Sequence, residues 1–251
     1  MIPWNYFQLN SVYFNTDKGI FSKLEMDNLI PGKWRLQQHI YDASQLPHHY
    51  PVFLKPEWGQ NSNGIVRADN DRDYREFEKK ADATDVTYIV QEAAKGNFEY
   101  EIYFLRSPEN KECCSFFSMS KVINVSEETY PINSIHNSNT FYEDITSSFN
   151  KSELQTIWGM VKDIGPFRMA RVGVKADNAV DLLRGIFQII EINIYLPMPL
   201  VLLSANVSRN EKFRLIDSIM KDAAALVKTI PPEETGKRIF FRKLRAHYKV
   251  A

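Results

Sequence analysis

The apolar positions along the chain fall into short continuous runs and into helical repeats. Residues 51–54 form a continuous apolar run, which predicts a buried strand with Lys55 at its end. Farther along, residues 171–175 and 186–194 predict the two strands of a hairpin, joined through residues 177–185. The chain therefore combines buried strands with polar side chains at their ends and on their faces.

Two segments carry the 3.6-residue apolar period of a helix. Residues 71–83 are highly charged, and Tyr74 and Phe77 are predicted to face inward. A second helix is predicted to begin at Asn150, which forms a capping pair with Glu153. The apolar residues that follow at helical spacing predict a core face: Leu154, Ile157, Trp158, Val161 and Ile164.

Residues 124–149 form the longest segment without a clear period. Loops of that length in a compact domain are usually functional lids or mobile segments. His136 lies in this segment among asparagines and serines, and two interpretations of it stay open. It contacts a substrate, or it is exposed to solvent, which is the commoner role of a single loop histidine.

The polar loop that follows the first strand is suited to binding an anion. Glycines and small polar residues leave backbone N–H groups free to surround a phosphate, and Lys55 adds a positive charge. The loop residues in question are Gly59, Asn61, Ser62, Asn63 and Gly64. The alternative is a lysine that ends an edge strand before an ordinary turn.

Glu191 and Asn193 stand two positions apart on the last predicted strand. Alternate residues of a strand face the same side, so the two side chains point to one locus. Carboxylate and amide oxygens are ligands that suit Mg²⁺. A solvated strand face is the alternative, but isoleucines on both sides predict a buried acid: Ile189, Ile190, Ile192 and Ile194.

These motifs, in this order, resemble those of the ATP-grasp superfamily, whose members include the D-alanine–D-alanine ligases and other carboxylate–amine ligases. Residues 55–64 match the pattern K-P-x-x-G-x-x-S-x-G of the lysine strand and its loop. Residues 88–94 (YIVQEAA) resemble the linker that contacts adenine, and residues 96–102 (GNFEYEI) are similar to G-x-E-x-x-V. Residues 191–193 (EIN) resemble the magnesium motif, and the match runs from about residue 23 to residue 200.

The resemblance implies an α+β fold in which two lobes clamp ATP and Mg²⁺. Residues 1–49 would be an N-terminal packing segment without a full substrate domain, residues 50–90 the first lobe, and residues 91–251 the second lobe with C-terminal helices. The implied activity is that of a ligase. ATP phosphorylates a carboxylate of a small molecule or peptide, and an amine or similar nucleophile attacks the resulting acyl phosphate.

The resemblance also implies roles for individual residues. Glu191 and Asn193 would hold Mg²⁺, while Arg171, facing the developing oxyanion, and Lys55 would serve catalysis. The residues implied for nucleotide binding are Lys23, Lys55, Gly59, Ser62, Gly64, Gln91, Glu92, Ala93 and Glu99. Gln91 to Ala93 would border adenine and Glu99 the ribose. For Lys23, a solvated helix lysine is the alternative.

One position departs from the family pattern. ATP-grasp enzymes of this kind usually carry R-x-D on the strand before E-I-N, and the aspartate is a metal ligand. Here the matching tripeptide, residues 171–173, ends in Gly173, and the alternative register, residues 168–170, also lacks an acid. Water, phosphate oxygens, or another acid such as Asp163 or Asp177 would then complete the metal site. The substitution leaves open a degenerate protein that binds nucleotide without ligating anything.

Composition narrows the partners further. Lysine plus arginine and aspartate plus glutamate each total 31, so the net charge of zero predicts no general attraction to nucleic acid or membranes. The two cysteines are adjacent and have no metal-type spacing, which favours a reducing compartment. Without an apolar run of about 18 residues or a signal-peptide pattern, the expected location is cytoplasmic.

The C-terminal residues 236–251 mix basic and aromatic side chains. They predict an amphipathic helix that docks Ile239, Phe240 and Leu244 on the body of the protein. The alternative is that this tail, or the 124–149 segment, captures a macromolecular partner, which would make the protein a non-enzymatic interaction module. The sequence leaves the oligomeric state open.

Overall fold

The computed structural model describes residues 4–59, 61–235 and 238–250 and contains two antiparallel sheets with helices packed against them. The strands in chain order are β1 (Gln38–Ile40), β2 (Val52–Pro56), β3 (Val66–Ala68), β4 (Tyr88–Glu92), β5 (Phe98–Arg106), β6 (Cys114–Asn124), β7 (Thr140–Asp144), β8 (Met169–Ala176) and β9 (Gln188–Asn193). The predicted α+β class is confirmed.

The helices lie between groups of these strands along the chain. They are α1 (Lys23–Asp27), α2 (Asp71–Glu76), α3 (Glu78–Asp82), α4 (Lys151–Val161), α5 (Ala179–Arg184), α6 (Arg209–Val227) and α7 (Ile239–Val250). Short 3₁₀ helices include Trp4–Gln8 and Leu200–Leu203. Within the described ranges, no helix has the length and apolar character needed to cross a membrane.

The smaller sheet has the strand order β1-β4-β2-β3, and the larger has the order β7-β6-β5-β8-β9. The strand predicted at residues 51–54 is β2, and it continues through Lys55 to Pro56. The predicted hairpin is also present: β8 pairs with β9 in antiparallel register, and its connection contains α5. The smaller sheet takes in β1, which lies before residue 50, so the division into lobes at residues 50 and 90 stays a prediction.

Strict alternation on β5 and β8 separates one core face from a second face that is apolar at one end of the strands and charged at the other. Buried residues at even positions pack with α4 in one apolar cluster: Tyr100, Ile102, Phe104, Ala170, Val172 and Val174. Odd positions face the other way, and Tyr103, Leu105 and Met169 pack against α6. The same odd face carries Glu99, Glu101, Arg171 and Lys175 at the opposite end of the strands, where they line a cavity. The period of two therefore gathers charged residues on one surface.

A β-bulge on β9 sets which of its residues face that surface. The register shifts so that Gly173 pairs with Glu191 while Val174 pairs with Ile189, which leaves Ile190 as an extra residue. Ile189 and Ile192 both reach the core side, and Glu191 and Asn193 line the cavity. Bulges commonly re-aim side chains beside binding sites.

The structure refines two predicted elements. The segment 71–83 is two short helices, α2 and α3, which meet at Phe77; Tyr74 and Phe77 are buried as predicted. The 124–149 segment is not wholly irregular, because β7 forms within it and pairs with β6 along residues 140–144. The predicted helix at Asn150 is confirmed as α4, with both hydrogen bonds of a capping box to Glu153.

The C-terminal helix α7 docks differently from the prediction. Ile239 is buried, but Leu244 is 42% exposed and Lys243 is buried in its stead. The ammonium of Lys243 lies 3.4 Å from the ring centre of Tyr195 and 4.7 Å from that of Trp58. The apolar pattern alone would place Leu244 on the buried face of α7. With these cation–π contacts, Lys243 lies on that face instead. Lys237, which belongs to the predicted basic tail, lies outside the described residues.

The N-terminal segment is fastened to the larger sheet by Asn10. Its side-chain amide donates to the carbonyls of Met169 (2.6 Å) and Ile194 (2.7 Å), and its oxygen accepts from the backbone N–H of Arg168 (2.9 Å). Asn10 is 2% exposed. Buried polar groups that lose their partner carry a full desolvation cost.

Asn10→Ala is therefore expected to lower the free energy of unfolding by about 2–4 kcal/mol, because three backbone groups lose their partner. Urea denaturation of parent and variant measures this difference. Asn139→Ala, at an exposed position, is the matched control and should leave the midpoint nearly unchanged. Equal midpoints for all three proteins would show that Asn10 does not anchor the segment.

Candidate functional site

A cavity of about 380 Å³ lies between the two sheets. Its volume is within the range of small-molecule sites. The sequence-predicted residues that line it are Lys23, Lys55, Gly59, Ser62, Gln91, Glu92, Glu99, Arg171, Glu191 and Asn193. Gly64, Ala93 and His136 are not among the lining residues. Ala93 instead donates its N–H to the Pro51 carbonyl, Gly64 packs against Pro56, and His136 is exposed.

Lys55 connects the two sheets across this cavity. Its ammonium donates to Gln91 Oε1 on β4 at 2.6 Å and lies 3.5 Å from the carbonyl of the bulged residue Ile190 on β9. Burial lowers the pKa of Lys55, while the carboxylates of Glu191 and Glu99 oppose that shift. A desolvated ammonium held by neutral oxygens is well placed to meet an anion.

Lys23 enters the cavity from the first turn of α1. The Ser22 side chain caps this helix, and the Lys23 ammonium donates to the Pro56 carbonyl at 2.9 Å. Burial lowers the pKa of Lys23 to about 8; the nearby charge of Lys55 acts in the same direction and Glu191 acts against it. Two lysines from separate elements therefore converge on the same cavity.

The glycine-bounded loop after β2 turns through left-handed backbone conformations at Asn61, Ser62 and Gly64, with φ of 55°, 60° and 77°. The loop touches the segment that follows β6. Ser62 Oγ donates to the carbonyl of Asn133 at 2.7 Å, and Ser134 Oγ donates to the carbonyl of Asn61 at 2.9 Å. Residues 130–135 therefore cover the loop.

Glu99 also meets this covering segment. Its carboxylate accepts a hydrogen bond from the Asn133 amide at 2.9 Å. Burial raises the pKa of Glu99, while the hydrogen bond from Asn133 lowers it. The loop between β4 and β5 is held close to β8 at Gly96, whose φ is +119° and where an added Cβ would lie 2.8 Å from the Ala176 backbone. Glu99 is thus fixed at the cavity wall.

Glu191 and Asn193 lie side by side, as predicted for alternate residues of a strand. The Asn193 amide donates to Glu191 Oε1 at 2.6 Å. Burial disfavours ionisation of Glu191, but Arg171, Lys55 and Lys23 together hold its pKa below the ordinary value. A charged carboxylate and an amide oxygen are thus available at one point of the cavity.

Arg171 interacts with carboxylates on both neighbouring strands. Its Nε lies 3.2 Å from Glu101 Oε2, and its Nη2 lies 3.7 Å from Glu191 Oε1. In contrast, Arg168 pairs with Glu234 and donates to the Leu9 carbonyl, away from the cavity. The structure therefore distinguishes the two candidate tripeptides, residues 168–170 and 171–173, and Arg171 is the arginine at the cavity. Its role at an oxyanion stays a prediction.

Sequence reasoning missed Glu101, Lys175, Asn133 and Tyr142, which all line the cavity. Glu101 and Lys175 were accessible from the sequence, because each lies at an even spacing from a residue already predicted: Glu99 on β5 and Arg171 on β8. Asn133 and Tyr142 had no such signal, because they come from the irregular segment and from β7 inside it.

Gly173 lies between two acids of neighbouring strands. It pairs with Glu101 on β5 and with Glu191 on β9. A Cβ added at Gly173 would lie 3.1 Å from Glu191 Cγ and 3.3 Å from Glu101 Oε1. The acids suggested by the sequence, Asp163 and Asp177, are exposed and do not line the cavity.

The cavity fits a nucleotide with a divalent cation in its charge and in its donor set. Basic side chains of Lys23, Lys55 and Lys175 suit phosphates, and Glu191 with Asn193 offers oxygen ligands. In the described part of the chain, no group of three or more histidine, cysteine, aspartate or glutamate side chains converges as a ready-made metal site. Such a cation would need oxygens from the phosphates and from water.

No protein-family model matches the chain, and no curated protein sequence matches it. Among solved structures it is similar to the D-alanine–D-alanine ligase from Bacillus anthracis complexed with ATP, at 13% identity and a TM-score of 0.55, over 82% of this chain and 67% of that chain. It is also similar to the L-amino acid ligase from Bacillus licheniformis, at 15% identity and a TM-score of 0.51, over 89% of this chain and 52% of that chain.

A third similar structure is the ATP-grasp ligase PsnB, complexed with a phosphomimetic variant of its minimal precursor, Mg and ADP. It shares 13% identity at a TM-score of 0.51, over 84% of this chain and 61% of that chain. The chain thus spans between 52% and 67% of the lengths of these three proteins. At such identities the likeness concerns the fold, and the chain has the ATP-grasp fold that its motifs predict.

Proposed function

We propose that the protein is an ATP- and magnesium-dependent ligase that activates a carboxylate as an acyl phosphate for attack by an amine or similar nucleophile. The observation that carries this proposal is the position of Lys55, which donates to Gln91 on its own sheet and reaches the Ile190 carbonyl, beside Glu191, on the larger sheet. A phosphate chain in the cavity would meet this lysine and the acid on opposite sheets. The substrates would be small molecules or peptides.

Each residue contributes positioning or charge. Lys23, Lys55 and the glycine-bounded loop would hold phosphates, Gln91 and Glu92 would border the base, and Glu99 would bind the ribose. Glu191 and Asn193 would hold Mg²⁺, which when bound withdraws electrons from the phosphate oxygens and offsets their charge. Arg171 would face the oxyanion. Phosphoryl transfer depends mainly on such positioning and charge neutralisation.

The proposed chemistry has two balanced steps. A carboxylate oxygen of the first substrate attacks the γ-phosphorus of ATP, the bond to the β-phosphate oxygen breaks, and ADP leaves. The amine of the second substrate then attacks the acyl carbon, and inorganic phosphate leaves as the amide bond forms. The amine releases a proton in this second step.

The test is ADP release measured against a panel of amino acids, dipeptides and other carboxylate and amine pairs. The proposal expects ADP release that requires both a carboxylate and an amine, with formation of an equimolar amide product. ATP binding without ADP release for any pair would instead support the second candidate, a nucleotide-binding protein without ligase activity. Gly173 motivates that candidate, because it replaces a metal-binding aspartate of the family pattern.

Nucleotide affinity is expected to depend on pH through Lys23. Only the protonated ammonium attracts phosphates, and burial places the pKa of Lys23 at about 8. ATP affinity should therefore fall as the pH rises through this value, by up to about tenfold between about pH 7 and pH 9. Calorimetric titration at several pH values measures this fall.

Lys23→Arg is the matched control for this pH dependence. A guanidinium stays charged throughout this range, so the variant should bind ATP with an affinity that changes much less between the same pH values. An identical fall in parent and variant would assign the titration to another group.

A further inference from the structure

Three residues lie in one row across the larger sheet, on the face that lines the cavity. Glu101 on β5 pairs with Gly173 on β8, and Gly173 pairs with Glu191 on β9. Directly paired residues of adjacent strands have neighbouring side chains on the same face. The glycine has no side chain, and side-chain atoms of both glutamates approach the place where its Cβ would stand.

Glu101 is an unusual side chain for this position. It is 4% exposed, lines the cavity, and among the described residues its Oε2 has no hydrogen-bond partner although Arg171 Nε lies 3.2 Å away. Arg171 Nε likewise makes no hydrogen bond to any described residue. A buried carboxylate oxygen without a hydrogen bond is costly, which indicates that a ligand completes its environment.

The space above Gly173 is bounded by this carboxylate and by side-chain carbons of Glu191 and Ile190. Glu101 Oε1 lies 3.3 Å from the point where a Cβ of residue 173 would stand, and Glu191 Cγ lies 3.1 Å from the same point. An aspartate at residue 173 would therefore meet both acids. The glutamate on the neighbouring strand reaches the place that an acid at residue 173 would occupy.

We propose that Glu101 supplies, from strand β5, the acidic metal ligand that is absent at Gly173. With Glu191 and Asn193, its carboxylate would hold a divalent cation against the phosphates of ATP. This inference rests on the proposed ATP site. In this proposal Glu101 on the adjacent strand compensates for the missing acid at Gly173. The absence of a side chain at Gly173 leaves room for the Glu101 carboxylate.

The main alternative is that Glu101 only orients Arg171, whose guanidinium lies near both Glu101 and Glu191. The two roles predict different metal dependence. A cation ligand affects nucleotide binding only when the cation is present, whereas a residue that positions Arg171 affects binding under both conditions.

The experiment measures ATP affinity by calorimetry in excess Mg²⁺ and in a chelator, for the parent and for Glu101→Gln. The parent should bind more tightly with Mg²⁺, and the variant should lose about 10- to 100-fold of affinity with Mg²⁺ and little in the chelator. Glu99→Gln, two residues earlier on the same strand face, is the matched control and should change both affinities alike.

A second pair of variants moves the acid between strands. Glu101→Ala should abolish the gain in ATP affinity from Mg²⁺, and adding Gly173→Asp to it should restore part of that gain. Alanine removes the Glu101 oxygen that lies 3.3 Å from the Cβ position of residue 173, while Glu191 Cγ and Ile190 Cγ1 stay at 3.1 and 3.2 Å and must shift slightly. Gly173→Asp alone should lower Tm and give no gain in Mg²⁺ dependence, since three carboxylates then crowd one point. Electron paramagnetic resonance of bound Mn²⁺ in the presence of ATP reads the same site directly.

Each outcome decides between the hypotheses. If Glu101→Gln gains as much ATP affinity from Mg²⁺ as the parent does, Glu101 is not a metal ligand. An equal loss of ATP affinity with and without Mg²⁺ also overturns this role for Glu101. A parent that binds ATP without any Mg²⁺ dependence overturns this inference but leaves a nucleotide site intact. A parent that binds no ATP under either condition overturns the proposed function and this inference with it.

Discussion

Lys55→Ala is expected to weaken ATP binding by about 10- to 100-fold without unfolding the protein. Lys55 is half-buried and its ammonium donates to Gln91 Oε1. Desolvation lowers its pKa, so its charge is incompletely compensated before a phosphate binds. A phosphate oxygen that accepts a hydrogen bond from this ammonium would form a charge-assisted interaction of about 1.5–3 kcal/mol. Calorimetric titration of ATP into parent and variant measures the loss.

Lys79→Ala is the control for Lys55→Ala, because Lys79 is an exposed lysine of α3 away from the cavity. It should bind ATP as the parent does, and the Tm values of all three proteins should remain close. If Lys55→Ala retains the parent's affinity, Lys55 is a structural lysine that links the sheets, and the phosphate-binding hypothesis for the loop after β2 is wrong.

Glu191→Gln is expected to remove most of the Mg²⁺ dependence of ATP binding. The substitution keeps the size of the side chain and the contact with Asn193, but it removes the charge that Arg171, Lys55 and Lys23 stabilise. With Mg²⁺, affinity should fall by about tenfold or more, since a charged oxygen ligand is lost. In a chelator, affinity should change little or rise, because the carboxylate no longer repels the phosphates.

The control for Glu191→Gln is Glu92→Gln. Glu92 is an acid on the opposite wall of the cavity that accepts a hydrogen bond from the Gln37 backbone N–H and is not a predicted metal ligand. The control variant should shift ATP affinity equally with and without Mg²⁺. Were Glu191→Gln to behave in the same way, Glu191 would be a structural partner of Arg171 and Asn193 and not a metal ligand.

The parts of the site that the sequence predicted follow from local rules. Lys55 ends a continuous apolar run, and Glu191 and Asn193 share a strand face, so a strand period of two is sufficient to bring each of them to a common surface. The chain order of the motifs then identified the ATP-grasp fold. The capping box at Asn150 was likewise local, because both of its hydrogen bonds lie within four residues.

Other features of the site depend on pairing between distant residues. The contact between Glu101 and Gly173 arises from the register of β5 against β8, which no local pattern specifies. The bulge at Ile190 is another example: the run of isoleucines predicted burial on both faces, whereas the extra residue turns Ile189 and Ile192 to the core and leaves Glu191 at the cavity. Similarly, Lys243 makes cation–π contacts and lies on the buried face of α7, where the apolar pattern predicted Leu244.

The cavity between the two sheets is the proposed site for ATP with Mg²⁺. Calorimetric titration of ATP into the parent protein, in excess Mg²⁺ and again in a chelator, tests it most directly. We expect saturable binding of one ATP per chain that is tighter with Mg²⁺ and is weakened in Lys55→Ala. ATP binding that is undetectable under both conditions, or that is unaffected by Lys55→Ala, would contradict the claim.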